Sequence, residues 1–191
     1  MIFIYTGCLA FVFFYLFDFN KAILLKKGVN YRFALGLALL SASTLGILLG
    51  AGDGFTVSFQ LKLFFGALSI GSLFMMLYTL FAALPYSETY LESEQGNNVV
   101  DTGIYALCRH PGVIWFFFFY LFLWLACGKT MMLWAGITWT IMDIILVFAE
   151  DRWFFPAALG GYEEYKTKVP FILPNPASIK RFIILNRGSM R

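Results

Sequence analysis

The sequence predicts an all-α integral membrane protein with about five transmembrane helices. Three observations predict it. The 191 residues are 60% hydrophobic and only 13% charged, whereas a soluble domain is nearer half apolar and a quarter charged. Five apolar runs approach the ~20 residues that a bilayer span needs, with ~17 tolerated. Lysine and arginine concentrate on alternate connecting segments, as they do in membrane proteins with a fixed orientation.

The runs come in order. The first is Ile2 to Phe19, the second Phe33 to Ala51, and the third Leu61 to Leu84, stopped by Pro85. The fourth, Val113 to Cys127, is short for a span, and the fifth is Met131 to Ala149. Only Gly128, Lys129 and Thr130 separate the last two, which predicts a tight helical hairpin. The first run lacks a basic leader-like start, so it reads as a helix that stays. The whole reads as one membrane domain: three N-terminal spans over 1–84, a polar-motif core over 85–176 and a basic tail over 177–191.

With the N-terminus outside, twelve of the fourteen basic residues fall on the cytoplasmic side; Lys62 and Lys129 are the two that do not. This places the C-terminus in the cytoplasm, across a plasma membrane or, in a bacterium, the inner membrane. The net charge of +3 is too small to argue for nucleic acid. One histidine and three unclustered cysteines (Cys8, Cys108, Cys127) offer no metal site and no disulfide framework. Glycine-rich phosphate loops and a G-x-S-x-G elbow are absent from the sequence. The partners expected are therefore the lipid bilayer and a small amphiphilic substrate, with neither nucleic acid nor metal.

Polar chemistry gathers on the inner face. The stretch YALCRHPG carries Arg109 and the single histidine, His110, directly before the fourth run. Pro111 suits the first helical turn, which puts His110 near the N-cap, where free N–H groups and a positive dipole end attract an anion. Arg109 adds a full charge. A ligand carboxylate or phosphate fits such a site, and so does a lipid headgroup phosphate. Asp143 lies inside the fifth run, and an acid at membrane depth is a functional candidate by default. Glu150, seven residues on, shares its helix face, and the hairpin returns it towards Arg109 and His110. That proximity fits an ion pair that only pins the hairpin, and it equally fits a pocket with cation, imidazole and carboxylate under an apolar ceiling. Such a pocket suits a zwitterion. Two prolines in VPFILP (169–174) exclude a regular helix and predict a strap across the cytoplasmic mouth.

VVDTGIYALCRHPG, a hairpin, and then AEDRWFFPAALGGYEEYKTKVPFILP together resemble the integral-membrane methyltransferases of the isoprenylcysteine carboxyl methyltransferase and phospholipid methyltransferase type, over about residues 90–176. The resemblance implies a cytoplasmic pocket for S-adenosylmethionine. It implies that Asn97, Asn98, Val99, Val100, Tyr105, His110, Pro111, Gly112, Val113 and Tyr165 wrap the cofactor and that Glu150 holds its amino end. Asp143 and Arg109 are the candidate catalytic residues. Leu146 stands where the isoprenylcysteine enzymes carry an arginine for the substrate carboxylate, Val113 replaces their aromatic, and Leu159-Gly160-Gly161 replaces their Phe-Gly. The expected acceptor is therefore a small amphiphile or lipid headgroup. Two other readings are an NADPH-dependent membrane reductase of the sterol or enone type, which has a similar hairpin, and a non-catalytic protein that keeps the scaffold.

Overall fold

Long apolar stretches without proline build the chain into helices. The computed structural model describes residues 1–20, 31–82 and 99–188. Helix α1 is Ile2–Phe19, α2 is Tyr31–Leu49 and α3 is Phe59–Leu77, which continues into a π-turn at Tyr78–Ala82. A short 3-10 turn, Gly103–Ala106, leads to α4 (Pro111–Cys127) and α5 (Thr130–Ala149). A second π-turn, Glu150–Phe154, joins α5 to α6 (Phe155–Ala158); α7 (Tyr162–Lys168) and α8 (Pro176–Gly188) complete the chain. Among the described residues there is no strand, only an isolated bridge between Gly54 and Lys129.

Among the described residues, four helical runs are long and apolar enough to cross a membrane: Ile2–Phe19, Tyr31–Leu49, Phe59–Phe81 and Thr130–Ala158. The fourth of the expected five spans, α4, has 17 residues and falls short of that length. Its limits have local causes. Pro111 opens it at the first helical position, and Gly128 closes it in the left-handed conformation (φ 70°), donating its N–H to Trp124 O at 2.8 Å. The third helix starts two residues earlier than hydropathy indicates because the Ser58 side chain caps it by accepting from the Leu61 N–H.

The helices pack in the order α2, α1, α5, α4, α3. Small residues set the closest approaches. At Gly7 an added Cβ would stand 2.2 Å from Trp139 Cε2, so only glycine lets the indole lie against α1. There Trp139, wholly buried, donates from Nε1 to Ile4 O at 3.1 Å. Tyr120 on α4 packs on Trp139 and shares a hydroxyl hydrogen bond with Thr44 of α2 at 2.9 Å. Outward, Ile70, Phe74, Ile145 and Phe148 are exposed, as residues facing lipid would be.

One end of the bundle is closed. Lys129, in the α4–α5 turn, donates to the carbonyls of Ile47, Leu48 and Gly50 at 3.1, 2.6 and 2.6 Å, which caps the C-terminus of α2. The backbone of Phe55 and Thr130 completes the seal by bonding Gly128 O and Asp53 O, each at 2.9 Å. The other end holds a cavity.

Candidate functional site

The fold brings the motif segments together at the end opposite Lys129. Irregular backbone around Arg109 leaves two N–H groups to satisfy, and the strap satisfies them. Arg109 N donates to Pro170 O at 2.9 Å and His110 N to Phe171 O at 3.1 Å. The stretch 169–175 is non-helical, as its prolines require, and Asn175 and Ser178 then start α8 with reciprocal side-chain to backbone bonds of 2.8 and 3.0 Å.

Arg109 is the clasp of this end. Its Nη1 donates to Lys166 O at 3.0 Å and Val169 O at 2.9 Å, which caps α7. Its Nη2 donates to Asp151 Oδ2 at 3.2 Å, and its Nε stands 2.8 Å from Oδ1, an ion pair with one hydrogen bond. The carboxylate that pairs with Arg109 is thus Asp151, not Glu150. The π-turn explains the difference. It begins at Glu150, so the two consecutive acids face separate partners: Asp151 takes the arginine, and also the Tyr162 hydroxyl at 2.7 Å, while Glu150 faces the cavity. The charge expected of Arg109 towards a ligand is neutralised within the protein.

His110 is the N-cap of α4, with Pro111 following at the first position. Its imidazole is buried, stacked on Phe155 with ring centres 5.9 Å apart and edge-on to Phe171 at 5.1 Å. Nδ1 stands 3.7 Å from Glu150 Oε2, and Nε2 stands 3.5 Å from Asp151 Oδ1, an ion-pair distance at which Nε2 makes no hydrogen bond. Burial holds its pKa below the ordinary histidine value; the nearby Asp151 carboxylate opposes that shift. The ring is therefore neutral at pH 7.

Above these groups lies a cavity of about 300 Å³, at the small end of the usual range for small-molecule sites. Eleven of the thirteen sequence-predicted residues line it: Val99, Val100, Tyr105, Arg109, His110, Pro111, Gly112, Val113, Asp143, Glu150 and Tyr165. Asn97 and Asn98 lie outside the described residues. The tyrosines are wired into the frame: Tyr165 Oη donates to Tyr105 O, and Tyr105 Oη to Thr79 O in the first π-turn, both at 2.8 Å. The rest of the wall is apolar and largely aromatic, from Phe11, Phe14, Phe33, Leu40, Met76 and Phe116. Burial pushes the neighbouring Cys108 thiol up to about 11, which removes it as a nucleophile near neutral pH.

Two features were not anticipated from sequence. Asp18, near the C-terminal end of α1, also lines the cavity and hydrogen-bonds Glu150. The signal was present, since Asp18 is the only charged residue of the first apolar run and the rule that flagged Asp143 applies to it. Phe155 also stacks on His110, which no spacing argument reveals. Among the described residues no group of histidine, cysteine, aspartate and glutamate could hold a metal ion. No family model, no curated protein and no solved structure matches this chain.

Proposed function

We propose that this chain is an integral-membrane methyltransferase that takes S-adenosylmethionine at the polar end of the cavity and methylates a small amphiphilic or lipid-like acceptor at the apolar end. One observation carries the reading. Glu150 and His110 face a mostly apolar cavity, and the buried Nε2 of His110 makes no hydrogen bond. Buried polar atoms are almost always paired, so an orphan lining a cavity points to a ligand. The pocket residues fit the cofactor: a carboxylate for its amino group, an imidazole nitrogen for a polar partner, and aromatic walls for its ring.

In this reading Asn97 to Val100, Tyr105, His110 to Val113, Glu150 and Tyr165 hold the cofactor. When bound, it supplies an electrophilic methyl group on a sulfonium that leaves as a neutral thioether. Glu150 accepts hydrogen bonds from the amino end. Arg109 touches no reacting atom; it positions His110 by fixing the strap, α7 and Asp151. Val113, Phe116 and Leu146 keep water from the methyl path, so that alignment and a dry site lower the barrier. Asp143 takes a proton from acceptors that must lose one. The topology that goes with this reading has five crossings, with α4 as a short one in the hairpin, the N-terminus outside and the cavity mouth in the cytoplasm. It follows the distribution of twelve of the fourteen basic residues.

The reductase reading lacks a counter-ion. Among the described cavity residues the only cationic side chain is Arg109, and its guanidinium is engaged by Asp151 and two carbonyls. The test is calorimetric titration of the purified chain with S-adenosylhomocysteine and, in parallel, NADPH. Micromolar binding of the first and none of the second is expected. Binding of NADPH alone overturns the proposal.

A further inference from the structure

The last helix, α8, packs against the 3-10 turn Gly103–Ala106. One of its faces turns inward: Ser178 is buried, Phe182 is half-buried, and Arg181 pairs with Asp101. On the opposite face Ile179, Ile183 and Ile184 are 44, 45 and 58% exposed, and Lys180 is exposed among them. Such a cluster of isoleucines is costly to leave in water. The sequence from 169 to 191 carries four basic residues, Lys180, Arg181, Arg187 and Arg191, and no acid.

The neighbours of α8 set its level. The strap before it meets α5 through Phe171 and Phe148, with ring centres 6.5 Å apart, and Phe148 meets the exposed Trp153 at 6.3 Å. An exposed tryptophan at the end of an apolar helix marks a membrane–water boundary. The 3-10 turn is tied at the same level, because Tyr105 donates to Thr79 O in the turn that ends α3. Thus α8 starts where the membrane helices stop. A helix that shows bare isoleucines and basic charge at that depth has the make-up of one lying in the interface, and a stretch with bases and no acid is complementary to an anionic leaflet.

We infer that the outer face of α8 is a docking surface for anionic lipid: Ile179, Ile183 and Ile184 sit at the boundary between headgroups and acyl chains, and Lys180 meets the lipid phosphates. The inner face stays on the protein through Ser178, Phe182 and Arg181. Lipid charge then steadies the strap, which is continuous with α8 and holds the backbone of Arg109 and His110. The inference is independent of the proposed function.

The experiment places the full chain in nanodiscs of phosphatidylcholine, with or without phosphatidylglycerol. A nitroxide is attached at Ile183→Cys in a chain whose three native cysteines are replaced by alanine, with folding checked by thermal unfolding. In the anionic discs the label is expected to collide more with oxygen, which concentrates in lipid, than with a neutral nickel chelate, which stays in water. That preference should weaken in phosphatidylcholine alone, and Lys180→Glu should weaken it in the anionic discs. A preference for the nickel chelate puts the face in water, and access to neither puts protein over it; each overturns the inference, as does a label that ignores the lipid charge. A second measurement needs no substitution. Amide hydrogen exchange across α8 of the native chain is expected to slow about fivefold in the anionic discs, the effect of one basic residue near such a surface, and the difference should vanish at high salt. Equal exchange in the two kinds of disc overturns the inference even where the labelled chain does not fold.

Discussion

The two ends of the bundle use the same device to different effect. At one end Lys129 donates to three carbonyls at the C-terminus of α2; at the other, Arg109 donates to two carbonyls around the C-terminus of α7. Both are basic side chains that cap a helix and tie a turn to its neighbour. At the Lys129 end the polar accounting then closes. At the Arg109 end it does not. Asp143, Glu150 and His110 remain at the wall of a cavity, and Arg109 bonds none of them. The lesson is that a charged clasp in a membrane protein is first a structural element. The site is found among the groups that the clasp leaves unengaged.

Breaking each clasp sharpens that contrast. The largest expected effect is that of Arg109→Ala, which strips Asp151 of its cationic partner and α7 of its cap. Breaking a buried pair from one side costs about 3–5 kcal/mol, read as a fall in thermal midpoint. Arg109→Lys should recover only part of this, because a single ammonium cannot span Asp151 and the two carbonyls as the guanidinium does. Midway between the ends, Gly7→Ala drives a methyl into the Trp139 indole. Overpacking of this kind costs about 1–3 kcal/mol and serves as a control that destabilises without touching either clasp. Lys129→Met removes the α2 cap, for about 2 kcal/mol by the usual strength of hydrogen bonds to charged groups, and should leave ligand binding unchanged.

The smallest effect is a pH dependence. Burial holds His110 below its ordinary value of 6.5 in the folded chain, so the unfolded chain binds the proton more readily. Stability should therefore fall as pH drops through about 6.5 and level off below the lowered folded value. In His110→Gln this component is missing, while Arg109, Glu150 and Asp151 remain around the site. Denaturant midpoints of the two chains, compared between pH 7.5 and 5.5, should diverge in that sense. Parallel midpoints would show that the imidazole is not desolvated as described.

Hydropathy made the long helices legible. The first run, Ile2 to Phe19, coincides with α1, and the third differs by the two residues its Ser58 cap adds and the turn its π-segment takes. The approach of the hairpin to YALCRHPG was legible too, because a three-residue turn has few other outcomes. What pattern could not supply was the choice of partners. Glu150 and Asp151 are adjacent, and which one meets Arg109 depends on a π-turn that carries no sequence mark. Asp18 was legible as a misplaced charge, but its contact with Glu150 depends on α1 packing beside α5 through Gly7, a feature of three-dimensional packing. The helices α6 and α7 are too short to show a pattern, and they are held by the packing of Tyr162 and Tyr165 on Phe155, Leu159 and Val99 and by the Arg109 cap.

The most direct test compares Glu150→Gln with Lys129→Met in S-adenosylhomocysteine binding, each measured against the native chain with folding checked by thermal unfolding. Glu150→Gln should keep the fold and lose at least tenfold in affinity, while Lys129→Met should lose stability and keep its affinity. If Glu150→Gln binds as the native chain does, or if the native chain does not bind at all, the unengaged groups at the Arg109 end are not the cofactor site and the account fails.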